Sequence, residues 1–248
     1  MNVTLLAHTQ LNQELKLTTE TFLQSLEEGI DYTSGQIVAL GAIRQCYSHK
    51  TATEVIATEY KKYFSEDSRE GRRLFNHIVK SGHTSTLEHI TFTFAIEGVS
   101  RALLAQLTRH RHMSFSVQSQ RYNKFSSGSR SEGFNYVVPK TITDSETKRF
   151  KAGYSIEPQK YFEFCMNDIQ KMYDNLIQIG IPQEDARSVL PNSATCNLVM
   201  TASLRTILEF YDKRRKGNGA QQEITVLAER LKEEVIKVEP FTKDFFEV

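Results

Sequence analysis

The residues best suited to chemistry lie together in one polar segment, from Gln106 to Tyr122. The segment contains three arginines, two histidines, three serines and three glutamines. A guanidinium group presents a planar set of donors that suits phosphate or carboxylate oxygens, and an imidazole changes charge near neutral pH. Serine hydroxyls and glutamine amides both donate and accept hydrogen bonds. The combination predicts a site for an anionic ligand that carries a polar ring.

A simpler interpretation is that Arg109, His110 and Arg111 end a helix and interact only with its carbonyl pole. That electrostatic interaction is confined to the last helical turn. The polar residues continue well beyond that turn, as far as Ser119 and Gln120. We therefore favour the ligand site over the helix-end interpretation.

The composition is that of a chain with a hydrophobic core and no dominant surface charge. The 248 residues are 39% hydrophobic, and 31 basic against 30 acidic residues leave a formal charge of +1. A general nucleic-acid-binding surface is therefore not expected. Cys46, Cys165 and Cys196 form no CxxC pair, which favours a reducing compartment. Because no signal peptide, membrane-length apolar run or internal repeat is recognisable, we expect one soluble, cytoplasmic domain over residues 1–248.

Hydrophobic spacing in the first half predicts the elements that position the polar segment. They are a strand over 3–7, helices over 37–43 and 69–80, a loop over 82–89 and a strand over 90–96. Gly82 is expected to end the second helix in a left-handed conformation. After Gly98, the spacing of Val99, Leu103 and Leu107 predicts a short helix that delivers Arg109, followed by a polar loop.

The second half is predicted to be mainly helical. Its predicted elements are a strand over 134–138, an exposed connection to 157, helices over 158–180 and from 182, a strand over 194–201, and helices over 204–216 and 224–238. Pro139 is expected to stop the first of these strands, and Ser203 to cap the helix that follows it in the chain. Met172 is expected on the core side of the long helix.

Arg109-His110-Arg111, followed after seven residues by Ser119, resembles the diagnostic motif of the flavin-dependent thymidylate synthases. The resemblance extends in the same order to other segments. These are Gly82-His83 with Leu87-Glu88-His89, the stretch from Gly180-Ile181-Pro182 to Pro191, Arg205 with Arg214, and Ala220-Gln221 with Glu223-Ile224. It covers roughly residues 37–224.

The resemblance implies a fold and a reaction. The implied fold is α+β, a single domain with a central, mostly antiparallel sheet flanked by helices. The implied assembly is a homotetramer in which several subunits build each FAD site. The implied reaction is the reductive methylation of dUMP to dTMP, with 5,10-methylenetetrahydrofolate as carbon donor and NADPH as reductant, and without a cysteine nucleophile. No metal, nucleic acid or membrane partner is implied.

The resemblance also implies the binding residues, position by position. The implied FAD contacts are His83, Ser85, Arg109, His110, Arg111 and Arg205. The implied dUMP contacts are Gln106, Arg109, Ser119, Gln120, Arg121, Arg187 and Arg214. Arg214 is the implied catalytic residue, since a fixed guanidinium stabilises negative charge that develops on a uracil ring. The chain departs from residues common in the family at Cys46, Val117, Ser203, Glu209 and Gln222, which puts individual flavin contacts in question.

Two other classes of function remain open alternatives. Arg109, Arg111, Arg121 and the basic cluster 213–216 would also suit a non-catalytic RNA- or nucleotide-binding module. The near-zero net charge counts against it. A zinc hydrolase would need ligands such as His83, His89, His110 and His112, but none of these pairs has the spacing of four that places two histidines on one helical face.

Overall fold

The computed structural model describes residues 1–15, 32–64, 69–149 and 153–247. The strands are β1 (Asn2–His8), β2 (Thr91–Ser100), β3 (Met113–Val117), β4 (Lys148–Arg149), β5 (Ser155–Ile156) and β6 (Thr195–Ser203). Four of them form a sheet in the order β1-β2-β6-β3, in which every neighbouring pair is antiparallel. The remaining two, β4 and β5, form a separate antiparallel pair.

Helices surround the sheet. They are α1 (Ser34–Gln45), α2 (Ala52–Phe64), α3 (Arg69–Lys80), α4 (Arg101–Leu107), α5 (Lys140–Thr143), α6 (Pro158–Gln178), α7 (Gln183–Ala186), α8 (Leu204–Arg214) and α9 (Gln222–Val238). Short 3₁₀ segments are Thr84–His89, Arg187–Val189 and Pro240–Glu247. This arrangement confirms the α+β fold with an antiparallel central sheet.

Alternation along β2 and β6 gives the sheet one apolar and one polar face. Phe92, Phe94 and Ile96 point into the core, where they pack with side chains of α1 and α9. Burying one such side chain contributes about 1.5–3 kcal/mol. On the opposite face, the hydroxyls of Thr93 and Thr201 lie 2.9 Å apart. The sheet therefore presents a row of hydroxyl groups away from its core.

A smaller apolar cluster fixes the chain that follows the polar segment Gln106 to Tyr122. Phe125 packs with Tyr173 of α6 and Ala186 of α7. The backbone N–H of Phe125 donates to the Tyr173 hydroxyl at 3.2 Å, and Gln170 donates to the Phe125 carbonyl oxygen at 2.9 Å. Asp174 accepts from the hydroxyl of Ser127 at 2.7 Å. These contacts fix the loop after Ser119 against α6, and so bring it close to α7.

Most of the predicted elements are confirmed, including the opening strand, the helix over 69–80 and the left-handed Gly82 with φ of 75°. The loop predicted over 82–89 is instead largely a 3₁₀ helix. Val99 belongs to β2 rather than to α4, because Ser100 caps the helix by accepting from the Leu103 N–H. The polar loop after α4 contains β3, whose residues pair with β6.

Two predictions in the second half are wrong, and a third is confirmed only in part. The strand predicted over 134–138 is a single bridge from Tyr136 to Ala194, because only residues 193–195 face it and Pro139 has no N–H to extend the pairing. The described residues of the connection to 157 are largely exposed, as predicted, but they form the short elements α5, β4 and β5; residues 150–152 lie outside the described residues. Met172 is 56% exposed rather than buried, because α6 packs on the chain mainly through Met166 and Tyr173.

Candidate active site

The start of α4 is fixed by a carboxylate from α9. The Ser100 hydroxyl and backbone N–H donate to Glu223 at 2.6 and 2.8 Å, and the same hydroxyl accepts from the Leu103 N–H. The Arg101 guanidinium donates to the Gln118 carbonyl oxygen at 2.7 Å. The helix and the end of the polar segment are thereby tied together. The direction in which α4 presents Arg109 and His110 is set by these contacts.

The structure brings His110 and Arg214 together. The Arg214 Nε donates to His110 Nε2 at 3.2 Å, and the imidazole lies edge-on to Phe210 with ring centres 4.9 Å apart. Burial lowers the pKa of His110 below its usual 6.5, and the positive charges of Arg214 and Lys213 lower it further. A neutral imidazole that accepts at Nε2 carries its proton on Nδ1. His110 therefore orients Arg214 without competing with it for anions.

Gln106 lies on the last turn of α4, four residues before His110 in the chain. Its side-chain nitrogen donates to Gln221 Oε1 at 2.5 Å, across the gap to the start of α9. Both amides keep unused hydrogen-bonding capacity, since each side chain has two donors and an acceptor. Gln221 belongs to a segment with family resemblance, yet the sequence assigns it no role. The contact places it beside a predicted nucleotide-binding residue.

A second group forms around Glu184 of α7. Its carboxylate lies 3.0 Å from Arg121 Nε and 2.9 Å from a terminal nitrogen of the same guanidinium. The Arg121 backbone N–H donates to the Ser119 hydroxyl at 3.1 Å, and Arg187 Nε donates to the Glu184 carbonyl oxygen at 2.9 Å. Three predicted dUMP contacts, Ser119, Arg121 and Arg187, thus converge, with half-buried Gln120 between two of them.

The hydroxyl face of the sheet forms the floor of a pocket of about 450 Å³. Its lining includes Thr91, Ser114, Thr201 and Ser203, with Arg205 at one side. The Arg205 guanidinium lies between two carboxylates, at 2.6 Å from Glu88 and 2.9 Å from Glu209. Both ion pairs are partly exposed, so each contributes at most about 1 kcal/mol. A ligand could displace either carboxylate at small cost.

His83 is held at the turn between α3 and the following 3₁₀ helix. Its Nδ1 lies 2.7 Å from the Tyr47 hydroxyl, and the two rings meet edge-on at 5.8 Å. The His83 carbonyl oxygen accepts from the Thr86 hydroxyl at 3.2 Å. Ser85 is exposed on the same short helix. Tyr47, at the end of α1, is a residue that sequence reasoning missed, because nothing in the spacing links positions 47 and 83.

Arg109 and Arg111 are exposed, and no carboxylate within the described residues lies within ion-pair distance of either. They differ in this respect from Arg121 and Arg205, which are paired. Unpaired guanidinium groups are the best available partners for an added diphosphate. The predicted residues thus form groups around His110, Glu184, Arg205 and His83, and the ion pair of Arg205 with Glu88 links the Arg205 group to the 3₁₀ helix that follows His83.

The donor set fits a flavin dinucleotide in part. The 450 Å³ pocket lies in the size range of small-molecule sites, and its hydroxyls suit the polar atoms of a sugar or a flavin ring. The unpaired Arg109 and Arg111 suit phosphates. Ser203 and Glu209 both line this pocket, and Glu209 pairs with Arg205, so two departures from the family lie in its wall. A pocket of this size accommodates only part of a dinucleotide.

Other chemistries find little support in these residues. Within the described ranges, no group of three histidine, cysteine or acidic side chains is arranged to hold a metal ion. Burial raises the pKa of the Cys196 thiol, which makes it a poor nucleophile. Cys46 is exposed and Cys165 is half-buried. None of the helices in the described part of the chain is long and apolar enough to span a membrane.

Comparison with known proteins gives consistent matches. The family described as thymidylate synthase complementing protein matches residues 30–241. The flavin-dependent thymidylate synthase of Clostridium tetani is 34% identical over 221 residues, 85% of this chain and 82% of that protein. Its counterpart in Haloarcula marismortui is 36% identical over 193 residues, 73% and 78% of the two chains. That of Geobacter sulfurreducens is 42% identical over 151 residues, which span 61% of this chain and 59% of the relative.

A solved structure supports the fold. The UMP/dUMP methylase PolB from Streptomyces cacaoi, bound with 5-Br dUMP, aligns with a TM-score of 0.69 over 99% of this chain and 94% of that one, at 22% identity. At this identity the likeness concerns the fold alone. The family match and the relatives that cover most of the chain show more: the chain belongs to the flavin-dependent thymidylate synthase family.

Proposed function

We propose that the chain is a methyltransferase that converts dUMP to dTMP, with 5,10-methylenetetrahydrofolate as carbon donor, NADPH as reductant and FAD as cofactor. It acts as one domain in a cytoplasmic homotetramer. The observation that carries the proposal is that Ser119 and Arg121 of the polar segment meet Arg187 around Glu184, although Arg121 and Glu184 are 63 positions apart in sequence. Family membership and the dUMP analogue in the structure of the PolB methylase support the same substrate.

The nucleotide phosphate binds where Arg121 now pairs with Glu184. Both side chains are about half exposed, at 54% and 47%, so exchanging a carboxylate for a doubly charged phosphate costs little. Ser119 and Arg187 add donors to the phosphate oxygens. Gln106, Gln120 and Arg109 supply further hydrogen bonds to the nucleotide, since amides and guanidinium groups suit its polar edges.

Arg214 donates hydrogen bonds to the uracil ring. Its Nε is occupied by His110, which leaves the two terminal nitrogens to donate to the ligand. A guanidinium stays charged at any pH at which the protein is folded, so it stabilises negative charge that develops on the ring during methylation. His110 fixes the orientation of this group. Arg214 is therefore the catalytic residue of the proposal, and His110 acts through it as well as toward the flavin.

The FAD supplies the hydride chemistry that side chains lack. We assign its binding to His83, Ser85, Arg109, His110, Arg111 and Arg205, with Tyr47 holding the His83 ring. These residues lie in several groups in one chain, which supports a site completed by other subunits. No cysteine is required, in agreement with the buried Cys196 and its raised pKa.

Exposed apolar side chains support the tetramer. On α6, the exposed fractions of Tyr161, Phe164 and Met172 are 44%, 59% and 56%. Ile179, directly after the helix, is 73% exposed. Large apolar side chains exposed along one helix are commonly covered at subunit interfaces. A second copy of the chain is the natural partner for this helix.

The visible spectrum of the purified protein tests the cofactor assignment. The protein, supplemented with FAD, is expected to show a bound flavin spectrum that bleaches when NADPH is added without oxygen, with and without dUMP. A variant in which Arg109 and Arg111 are both alanine should lose the flavin while remaining folded, because these exposed groups contribute little to stability. Failure of the wild-type protein to bind FAD would remove the proposed function.

A further inference from the structure

A second pocket lies at the far end of α1 from the candidate active site. It has a volume of about 360 Å³ and lies where α2, α3 and the 3₁₀ segment Pro240–Glu247 meet beside Gln36. The opposite end of α1 leads to Tyr47 and His83. Because α1 has 12 residues, its two ends are about 18 Å apart. The two pockets share no lining residue.

Buried contacts shape this second pocket. Gly71 allows α3 to lie against α2, since a Cβ there would overlap the Tyr63 carbonyl oxygen. Glu239, which is fully buried, accepts from the Thr33 hydroxyl and, at 3.2 Å, from the Gly35 N–H at the start of α1. The Glu239 carbonyl oxygen in turn accepts from Thr242. The C-terminal wall is therefore held to α1 by hydrogen bonds, and the pocket is preformed.

Part of the cavity wall is aromatic, formed by Tyr63, Phe64, Phe75, Phe241 and Phe245. Phe64 and Phe75 lie nearly parallel with ring centres 6.5 Å apart, and Phe75 and Phe241 are tilted at 5.1 Å. Phe241 also meets Phe245 edge-on at 5.6 Å. Such rings offer flat apolar faces, against which another ring packs by offset stacking or edge contact. A planar apolar ligand of one or two rings matches the volume and this lining.

The charged residues at the mouth favour an anion. Arg72 and Lys243 line the pocket, and both are exposed. Among the described residues, neither has a carboxylate within 4.0 Å, although the chain pairs many of its other cations. Asp244 is the one acidic side chain that the described residues contribute to the lining, so these residues give the mouth an excess of positive charge. The amide of Asn76 adds a neutral donor and acceptor.

We propose that this pocket binds a small planar aromatic anion, with its rings against the phenylalanines of the cavity wall and its carboxylate at Arg72 and Lys243. The site is separate from the flavin and nucleotide residues and does not depend on the proposed reaction. Ring stacking supplies the apolar contribution to binding, and the two cations supply charge-assisted hydrogen bonds. The chemical class is an aryl carboxylate of one or two fused rings.

Titration calorimetry with 2-naphthoate tests this site. The wild-type protein is expected to bind one molecule per chain, equally well in the presence of saturating dUMP and FAD. Substituting Arg72→Glu together with Lys243→Glu should weaken binding at least about tenfold, the scale of a lost charge-assisted hydrogen bond. The matched control, Arg73→Glu with Lys237→Glu, reverses the same charge on exposed neighbours and should change affinity less than about twofold. The uncharged 2-naphthamide should bind more weakly than 2-naphthoate.

The neutral pair Arg72→Gln with Lys243→Gln provides a milder second variant, expected to give an intermediate loss in a protein whose unfolding temperature is unchanged. The proposal is overturned if millimolar 2-naphthoate gives no binding, or if the pocket and control variants lose affinity equally. It is also overturned if dUMP or FAD displaces the naphthoate, because the ligand would then occupy the candidate active site.

Discussion

Arg121 and Glu184 lie 63 positions apart in sequence, yet Glu184 is held against the guanidinium of Arg121 by contacts of 2.9 and 3.0 Å. The pair occupies the position proposed for the nucleotide phosphate. A carboxylate in that position acts as an internal competitor of the phosphate, because both bind the same donors. The ion pair keeps Arg121 oriented before the nucleotide binds. Arg121 must then separate from Glu184 for the phosphate to bind.

Replacing Glu184 by Gln is therefore expected to tighten dUMP binding. The ion pair that must open contributes at most about 1 kcal/mol, so the gain in affinity should be no more than about fivefold. Titration calorimetry with dUMP measures the change, and Asp185→Asn serves as a control with the same loss of charge one residue away. Weaker binding by Glu184→Gln would mean that the carboxylate positions Arg121 rather than competes for it.

Replacing Arg121 by Ala is expected to weaken dUMP binding by about 1.5–3 kcal/mol, since a charged hydrogen-bond donor to the phosphate is lost. The bound flavin content should hardly change. Equilibrium dialysis with labelled dUMP measures the affinity, and the absorbance ratio of flavin to protein measures the content. Arg130→Ala, an exposed arginine of the same loop, is the control. Wild-type affinity in Arg121→Ala would exclude this residue from the phosphate site.

Replacing Arg214 by Ala is expected to lower turnover far more than flavin content, because the residue stabilises charge that develops during the reaction. The same change should raise the pKa of His110 towards 6.5, since the guanidinium is one cause of its depression. Nitrogen chemical shifts of the histidine ring, followed against pH, report this shift independently of activity. Lys213→Ala, which removes the smaller of the two charge effects on this pKa, should raise it less. An unchanged His110 titration would contradict the contact that links the two residues.

The buried Glu239 predicts a pH dependence of stability. Burial raises the pKa of this carboxyl from 4.5 to about 7. Because the folded-state pKa is the higher one, the stabilisation from the protonated form is complete below pH 4.5 and is lost as pH rises through 7. Glu239→Gln should remove this loss, which amounts to about 3 kcal/mol. Urea unfolding at pH 5 and pH 8 measures it, with exposed Glu233→Gln as control. Equal pH dependence in all three proteins would contradict the shift.

Sequence patterns predict the sheet and long helices well because their signals are local. The alternation of Phe92, Phe94 and Ile96 marks one strand, and the end of the helix over 69–80 coincides with the left-handed Gly82. Patterns fail where the deciding contact is distant. The five residues of β3 do alternate between apolar and polar side chains, but so short a run within a polar segment does not predict a strand, and pairing with β6 makes it one. Exposed Met172 shows the same limit, since a partner outside the chain can account for an apolar position.

The candidate site follows the same rule. The residue types of Ser119, Arg121, Arg187 and Arg214 point to an anionic ligand, and the family motif supplies their roles. Glu184, which pairs with Arg121, and Glu223, which holds Ser100 at the start of α4, lie in segments that resemble the family, but spacing does not reveal these partners because each contact forms only across the fold. Tyr47 is similar: its hydroxyl reaches His83 from 36 positions away. Geometry identifies such supporting residues, whereas spacing does not.

Formation of dTMP is the measurement that tests the central claim most directly. The purified protein would be incubated without oxygen with dUMP, 5,10-methylenetetrahydrofolate labelled in its methylene carbon, FAD and NADPH, and the nucleotides separated. The account predicts labelled dTMP that depends on every added component, persists when Cys46, Cys165 and Cys196 are replaced by alanine, and is strongly reduced in Arg214→Ala. Flavin reduction without any labelled dTMP, or product that requires a cysteine, would contradict it.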